Sequence, residues 1–356
     1  MVTGFKLATK PVPAKRWYDI VVTACPWFVA FRMKAPAILL ALLLLLLPAA
    51  PTHAWGFFGH RLINRLAVFT LPREMVGFYK ANIDYLTENA TRPDQRRSVV
   101  PGEAARHFLD VDVYGDSALT RHGLPHSFAD AVAQYGEDSL MRHGIVPWQV
   151  AQMKNQLTAA FREHDTDRIL HLSADLGHYV ADACVPLHTT RNYNGQFTGQ
   201  RGIHGLWESR LPELLSPSYD FFVGPAVYLD RPTEAIWQAV SRAHLAVDSV
   251  LLFEREQTAR FAADRKYGYE QRGTQTVRAY SRDFAQAYHQ QLNGQVERQM
   301  RRAVQLVAAF WYTCWVDAGQ PDLDKLPRTP SEKEQQRLAR EAAATPLALP
   351  VPGHEE

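Results

Sequence analysis

From residue 147 to residue 183, apolar residues recur every three or four positions, broken only by the polar step at 163–166. That period lays one apolar stripe along a helix, whereas a half-buried strand needs strict alternation. Pro147 suits a first helical turn, and Asp165 or Thr166 suits the cap of the helix that follows. The same spacing runs through 61–69, 127–143, 231–262 and 274–316, while alternation flanked by hairpin turns is nearly absent. The expected fold is all-α. No composition break, repeat or linker interrupts residues 55–320, so a single multi-helix domain is expected over 55–325. Beyond Pro321 the chain loses its aromatic residues, becoming charged and then rich in Ala and Pro. Residues 326–356 therefore read as a flexible C-terminal tail.

The N-terminal segment has a different character. Residues 37–47 form an apolar run, preceded by Arg32 and Lys34 and broken by Pro48. It is shorter than the roughly 20 residues that span a bilayer. Thr52-His53-Ala54 supplies small residues at the positions a signal peptidase reads. Residues 1–54 are expected to be a signal peptide region, with Met33 as the start and cleavage after Ala54, which makes the mature protein secreted or periplasmic. An uncleaved leader would instead give a membrane-anchored interaction domain. Removing the segment takes away six basic residues and one acid, leaving 33 basic and 36 acidic from the chain's 39 and 37. A polyanion binder that works through its surface field is basic. Recognition of phosphate would then have to be local. Cys25 leaves with the leader, and Cys184 and Cys314 are too few for a disulfide framework. They read as small buried residues.

Residues with metal-ligand chemistry gather in the middle of the chain. His178 and Asp182 stand four apart in a helical stretch, so both leave the same face. Pro186 ends that helix, and His188 follows in a turn. His204 and Glu208 repeat the four-residue spacing. Five nitrogen or oxygen donors thus fall within the 31 residues from His178 to Glu208, a density that suits zinc. Cleavage after Ala54 would add a free α-amino group on Trp55, close in sequence to His60, and Asp94 and His107 are further candidates. His171 with Asp175, and also His122, His126, His143 and His164, read as structural or exposed.

This set resembles the superfamily of zinc-dependent phospholipases C and single-strand-specific zinc nucleases, whose mature chains begin with a Trp that binds zinc. The resemblance is carried by motifs in residues 55–210, and beyond them by helical character. It implies three zinc ions. Asp94, His107, His178 and Asp182 would hold the first; His188, His204 and Glu208 the second; Trp55 and His60 the third, with Asp182 bridging it to the first. The likeness to the phospholipases implies that Asp94 also orients or deprotonates the attacking water, and the likeness to the nucleases that Arg97 steadies the charged transition state. Phe108 would stack a base and Asp110 hydrogen-bond it in the nuclease branch. The five-residue step from Trp55 to His60 looks like the nucleases, whereas Glu208 and the 16-residue step from His188 to His204 look like the phospholipases.

A phosphodiester repels nucleophiles by its own charge. Metal ions neutralise that charge and lower the pKa of bound water from about 15.7 to about 7. The expected activity is that of an exported, phospholipase C-like phosphodiester hydrolase acting through metal-bound hydroxide. A single-strand-specific nuclease with the same trinuclear zinc site is the alternative, and a non-catalytic zinc-binding helical protein the alternative of another class. The substrate would be a phospholipid head group or single-stranded nucleic acid. No organic cofactor is expected, and the protein is expected to be a monomer.

Overall fold

The computed structural model describes residues 56–120, 123–272 and 275–344. The leader, Trp55, His122 and residues 345–356 of the expected tail lie outside the described residues. Four helices open the described chain: α1 (Gly56–Val68), α2 (Arg73–Ala81), α3 (Ile83–Asn89) and the short α4 (Arg92–Arg96). After a long connection come α5 (Phe128–Tyr135), α6 (Glu137–His143), α7 (Val146–Arg162) and α8 (Thr166–Asp182). A helical segment follows, with α9 (Ile203–Gly205), a π-helical turn (Leu206–Arg210) and α10 (Leu211–Leu215). The remainder comprises α11 (Pro232–His244), α12 (Val247–Arg260), a β-hairpin, α13 (Arg282–Leu292), α14 (Gln295–Asp317) and α15 (Glu332–Ala344). The described residues all belong to one compact unit. The fold is the all-α domain read from the periodicity.

Local chemistry sets the helix starts. Asp165 accepts from the Arg168 amide at 3.1 Å and caps α8, while Ser127 and Ser281 cap α5 and α13 in the same way. Pro147 occupies the first turn of α7, where its missing amide hydrogen has no intrahelical acceptor to lose. Helix α8 is the centre of the molecule. Every residue from Leu172 to Asp182 is buried, and α1, α3, α7 and α14 pack around it. Polar anchors tie it down as well. The Trp311 indole donates to the Ser173 carbonyl at 3.0 Å, and the Tyr79 and Ser173 hydroxyls meet at 2.9 Å. Trp311 and Tyr79 are both fully buried, and truncating aromatics of this size costs about 3–5 kcal/mol.

The structure departs from the sequence reading in two places. Strands β1 (Tyr267–Arg272) and β2 (Gln275–Tyr280) form an antiparallel hairpin that intrudes on the helical span expected from 274. Tyr280 and Phe284 stack there and bury the hairpin's root against α13, so tertiary packing overrides the local period. Residues 332–344 form α15, where a tail was expected from 326. Polar contacts dock this helix: Tyr85 donates to Glu334 at 2.5 Å and Arg92 to Glu341 at 2.7 Å. Composition alone could not reveal these partners, which lie 249 residues away in sequence. Cys184 and Cys314 are buried free thiols.

Candidate metal centre

Helix α8 contributes His178 and Asp182 from one face, as their spacing requires. Pro186 to Thr189 make a 3-10 turn that folds His188 back, and the π-helical turn carries Glu208 beside His204. Helix α1 brings His60, α4 brings Asp94, and a 3-10 turn over Ala104–His107 brings His107. All eight of these side chains are buried, none more than 4% exposed.

Three groups of donor atoms result: His60, His178 and Asp182; Asp94, His107 and His178; and His188, His204 and Glu208. In the second group His178 Nε2 lies 3.0 Å from His107 Nδ1 and 3.6 Å from Asp94 Oδ1, and His107 Nδ1 lies 3.5 Å from Asp94 Oδ1. In the third, His204 Nε2 lies 3.1 Å from His188 Nε2 and 2.9 Å from Glu208 Oε2. Ligands at about 2.0–2.1 Å around a tetrahedral zinc sit roughly 3.3 Å from one another. The observed separations bracket that value.

Two further observations favour a cation. Both oxygens of Asp94 are buried without a hydrogen-bond partner, and Oδ1 lies among the imidazoles of His107 and His178. Leaving such atoms unsatisfied costs about 1–3 kcal/mol each, and more for charged groups. The second is the fixing of tautomers. His178 donates Nδ1–H to the Ala90 carbonyl and His188 donates Nδ1–H to the His107 carbonyl, both at 2.8 Å. Each Nε2 then turns a lone pair toward its group, the usual arrangement behind metal-bound histidine. The residues present fit zinc.

Electrostatics follow from burial. It holds the His107 imidazole well below its ordinary pKa and lowers that of His60, in both cases against the pull of Asp182. Neutral imidazole is the form that binds metal. Burial also favours the protonated form of Asp182, but His178 and His188 hold its carboxyl well below the usual carboxylate range. Asp94 is pushed up to about 7 by burial, with Asp182 adding to the rise and His60 and Arg97 opposing it.

Behind the centre, Arg96 donates to Asp175 at 2.6 Å and to Tyr179 at 3.1 Å, and pairs with Glu103 at 3.3 Å. His171 lies 3.6 Å from that same Asp175. The pair His171 and Asp175 therefore belongs to a structural ionic network and not to the metal groups. His126 pairs with Glu234 and stacks on Trp237, and His143 pairs with Asp110.

The remaining candidates are placed as follows. Arg97 is half-buried and near enough for its charge to act on Asp94 and His107. Phe108 is only 1% exposed and lies against Gly144, where an added Cβ would fall 2.6 Å from its ring. Asp110 meets His143 Nδ1 at 3.1 Å, and burial pushes its carboxyl up to about 7 against that contact. Trp55 lies outside the described residues. Its neighbour Gly56 starts α1 at φ 42° with Ser209, next to Glu208, so close that a Cβ would fall 2.7 Å from the Ser209 hydroxyl.

Gly177 is a residue the sequence reading missed. A Cβ there would fall 2.1 Å from Asn64 Oδ1, and Asn64 is fixed by donating to the Leu86 carbonyl at 3.3 Å and to the Ala174 carbonyl at 3.1 Å. The missing side chain lets α1 approach α8 closely enough for His60 and His178 to stack at 3.8 Å. A glycine inside an otherwise strong helix, one position before a ligand, was the available signal.

No family model and no curated protein sequence matches the chain. Among solved structures, the alpha toxin from Clostridium absonum matches over 78% of this chain with a TM-score of 0.42 and 12% identity. The match spans 66% of that protein's length.

Proposed function

We propose that the protein is a zinc-dependent phosphodiester hydrolase of the phospholipase C-like kind. The observation that carries this reading is the convergence of three buried donor groups, two of which share His178, with Asp182 also lying 3.0 Å from His107 and 3.5 Å from His188. Asp94, His107, His178 and Asp182 would hold one ion. His188, His204 and Glu208 would hold a second, and His60 with the Trp55 terminus a third. When bound, such ions neutralise the phosphodiester's charge and activate water for attack.

The chain's own groups have definite tasks. Asp94 would orient the attacking water and accept its proton. Arg97, whose charge reaches Asp94, would offset charge that builds up on the phosphoryl oxygens. The carbonyls of Ala90 and His107 hold His178 and His188 in the tautomer that keeps Nε2 free.

Buried Phe108 presents no face on which a base could stack, and Asp110 is engaged by His143. That burial supports a phospholipid head group over single-stranded nucleic acid as substrate. The test is a paired assay of the zinc-loaded mature protein on phosphatidylcholine and on single-stranded DNA. Release of phosphocholine alone is the expected result, turnover of DNA alone would establish the nuclease reading, and turnover of neither would leave a zinc-binding protein without catalysis.

A further inference from the structure

We propose that the C-terminal helix α15 is a strap that positions Asp94, acting through Glu341 on the two arginines flanking it. The proposal rests on the reading of Asp94 as a metal ligand. Helix α4 holds only five residues, and isolated helices shorter than about 12 residues are marginal in water. Something else must therefore hold Asp94 in place. Arg92 and Arg96 stand two residues before and two after it, which puts them together on the helix face opposite Asp94. That outer face is where the strap grips. Arg92 donates to Glu341 Oε2 at 2.7 Å and to the Leu338 carbonyl at 3.1 Å, and Arg96 lies 3.7 Å from Glu341 Oε1. The Arg92 and Glu341 side chains are only 12% and 21% exposed, so this pair is largely shielded from water, unlike the surface pairs that contribute little.

The rest of the strap is built for holding and not for core formation. Glu334, Arg337, Leu338 and Glu341 follow helical spacing along one face. Glu334 accepts from Tyr85, Arg337 donates to His171 Nδ1 at 2.9 Å, and Ser331, just ahead of α15, bonds to Asp167. These partners sit on α3, which precedes α4 in the chain, and on α8, which packs against α4. The strap thus ties α3, α4 and α8 together by polar contacts to Tyr85, Arg92, Arg96, Asp167 and His171, none of them a candidate metal ligand. Its grip can be removed without touching a donor atom.

The experiment is a chelator titration, with retained zinc read by elemental analysis, of the zinc-loaded mature protein and three variants. These are a chain ending at Pro330, Glu341→Gln, and the control Glu332→Gln, whose side chain is exposed on the same helix. In the first two, one zinc should be lost at about 10-fold lower chelator concentration than in the parent, the scale on which supporting partners act on metal affinity. The other ions and the control should be unchanged. In an Asp94→Asn background the strap variants should produce no further loss, which ties the effect to that ligand. Should the shortened chain lose its helical circular dichroism, Glu341→Gln carries the decision. Zinc retention like the parent's in Glu341→Gln and in a folded shortened chain would overturn the strap, and so would uniform loss of all ions. A parent chain that binds no zinc would overturn both the strap and the metal centre.

Discussion

The Asp182 carboxylate faces two ways: Oδ1 lies 3.3 Å from His60 Nε2, and Oδ2 lies 3.0 Å from His107 Nδ1. A single side chain thus links helix α1 to the Ala104–His107 turn, and Oδ2 also lies 3.1 Å from His178 Nε2 on its own helix. A carboxylate with both oxygens among imidazoles is suited to bridge two cations. Asp182→Asn keeps the shape but puts an NH₂ group in place of one oxygen. It should cost metal affinity by at least about 100-fold, the upper end of what supporting residues alone contribute. Full zinc content in that variant, with normal turnover, would show that Asp182 does not bridge.

Gly177 should be intolerant of even a methyl group. Gly177→Ala places a Cβ 2.1 Å from an Asn64 oxygen held by two hydrogen bonds, so α1 and α8 must separate. Overpacking of this kind costs about 1–3 kcal/mol. The His60 to His178 stack should open with it, so the variant should lose zinc as well as thermal stability. A variant as stable as the parent and fully zinc-loaded would mean that this close approach is not needed.

Much of the centre was legible locally and the rest was not, for a physical reason. His178 with Asp182, and His204 with Glu208, announce themselves because a helix converts a four-residue spacing into a shared face. His60, Asp94 and His107 reach the site through helix packing over about 70 to 120 residues of sequence, which no local period encodes; resemblance of motifs supplied them. The hairpin at 267–280 and the docking of α15 were hidden because their partners, Phe284 for one and Arg92 for the other, act only in three dimensions. Phe108 and Asp110 had motif character, but the fold buries the first and pairs the second with His143.

Asp110 carries a pH dependence of its own. Burial raises its carboxyl to about 7, above the roughly 3.9 of an exposed aspartate. The folded state therefore binds more protons than the unfolded one between those values, and this group's contribution to stability falls as pH rises through about 7. Asp110→Asn, which cannot ionise, should unfold at a higher temperature relative to the parent at pH 8 than at pH 5. A gap that stays constant between those pH values would show that Asp110 does not titrate as its burial requires.

The Trp55 terminus gives a test of maturation. An amide nitrogen has no lone pair to offer, whereas a free α-amine, with a reference pKa of about 7.7–8.0, can lose its proton to zinc near neutral pH. A chain that begins at Trp55 should bind one more zinc than a chain with a single extra Ala, and should be much more active at equal helical content. Equal zinc and equal turnover would remove the terminus from the ligand set.

Elemental analysis of the purified protein beginning at Trp55 tests the central claim most directly. One zinc for each of the three donor groups, retained through dialysis, is the predicted result. A folded protein that retains no zinc after exposure to excess metal would contradict the account, because its buried imidazoles and carboxylates would then have no cation to satisfy them.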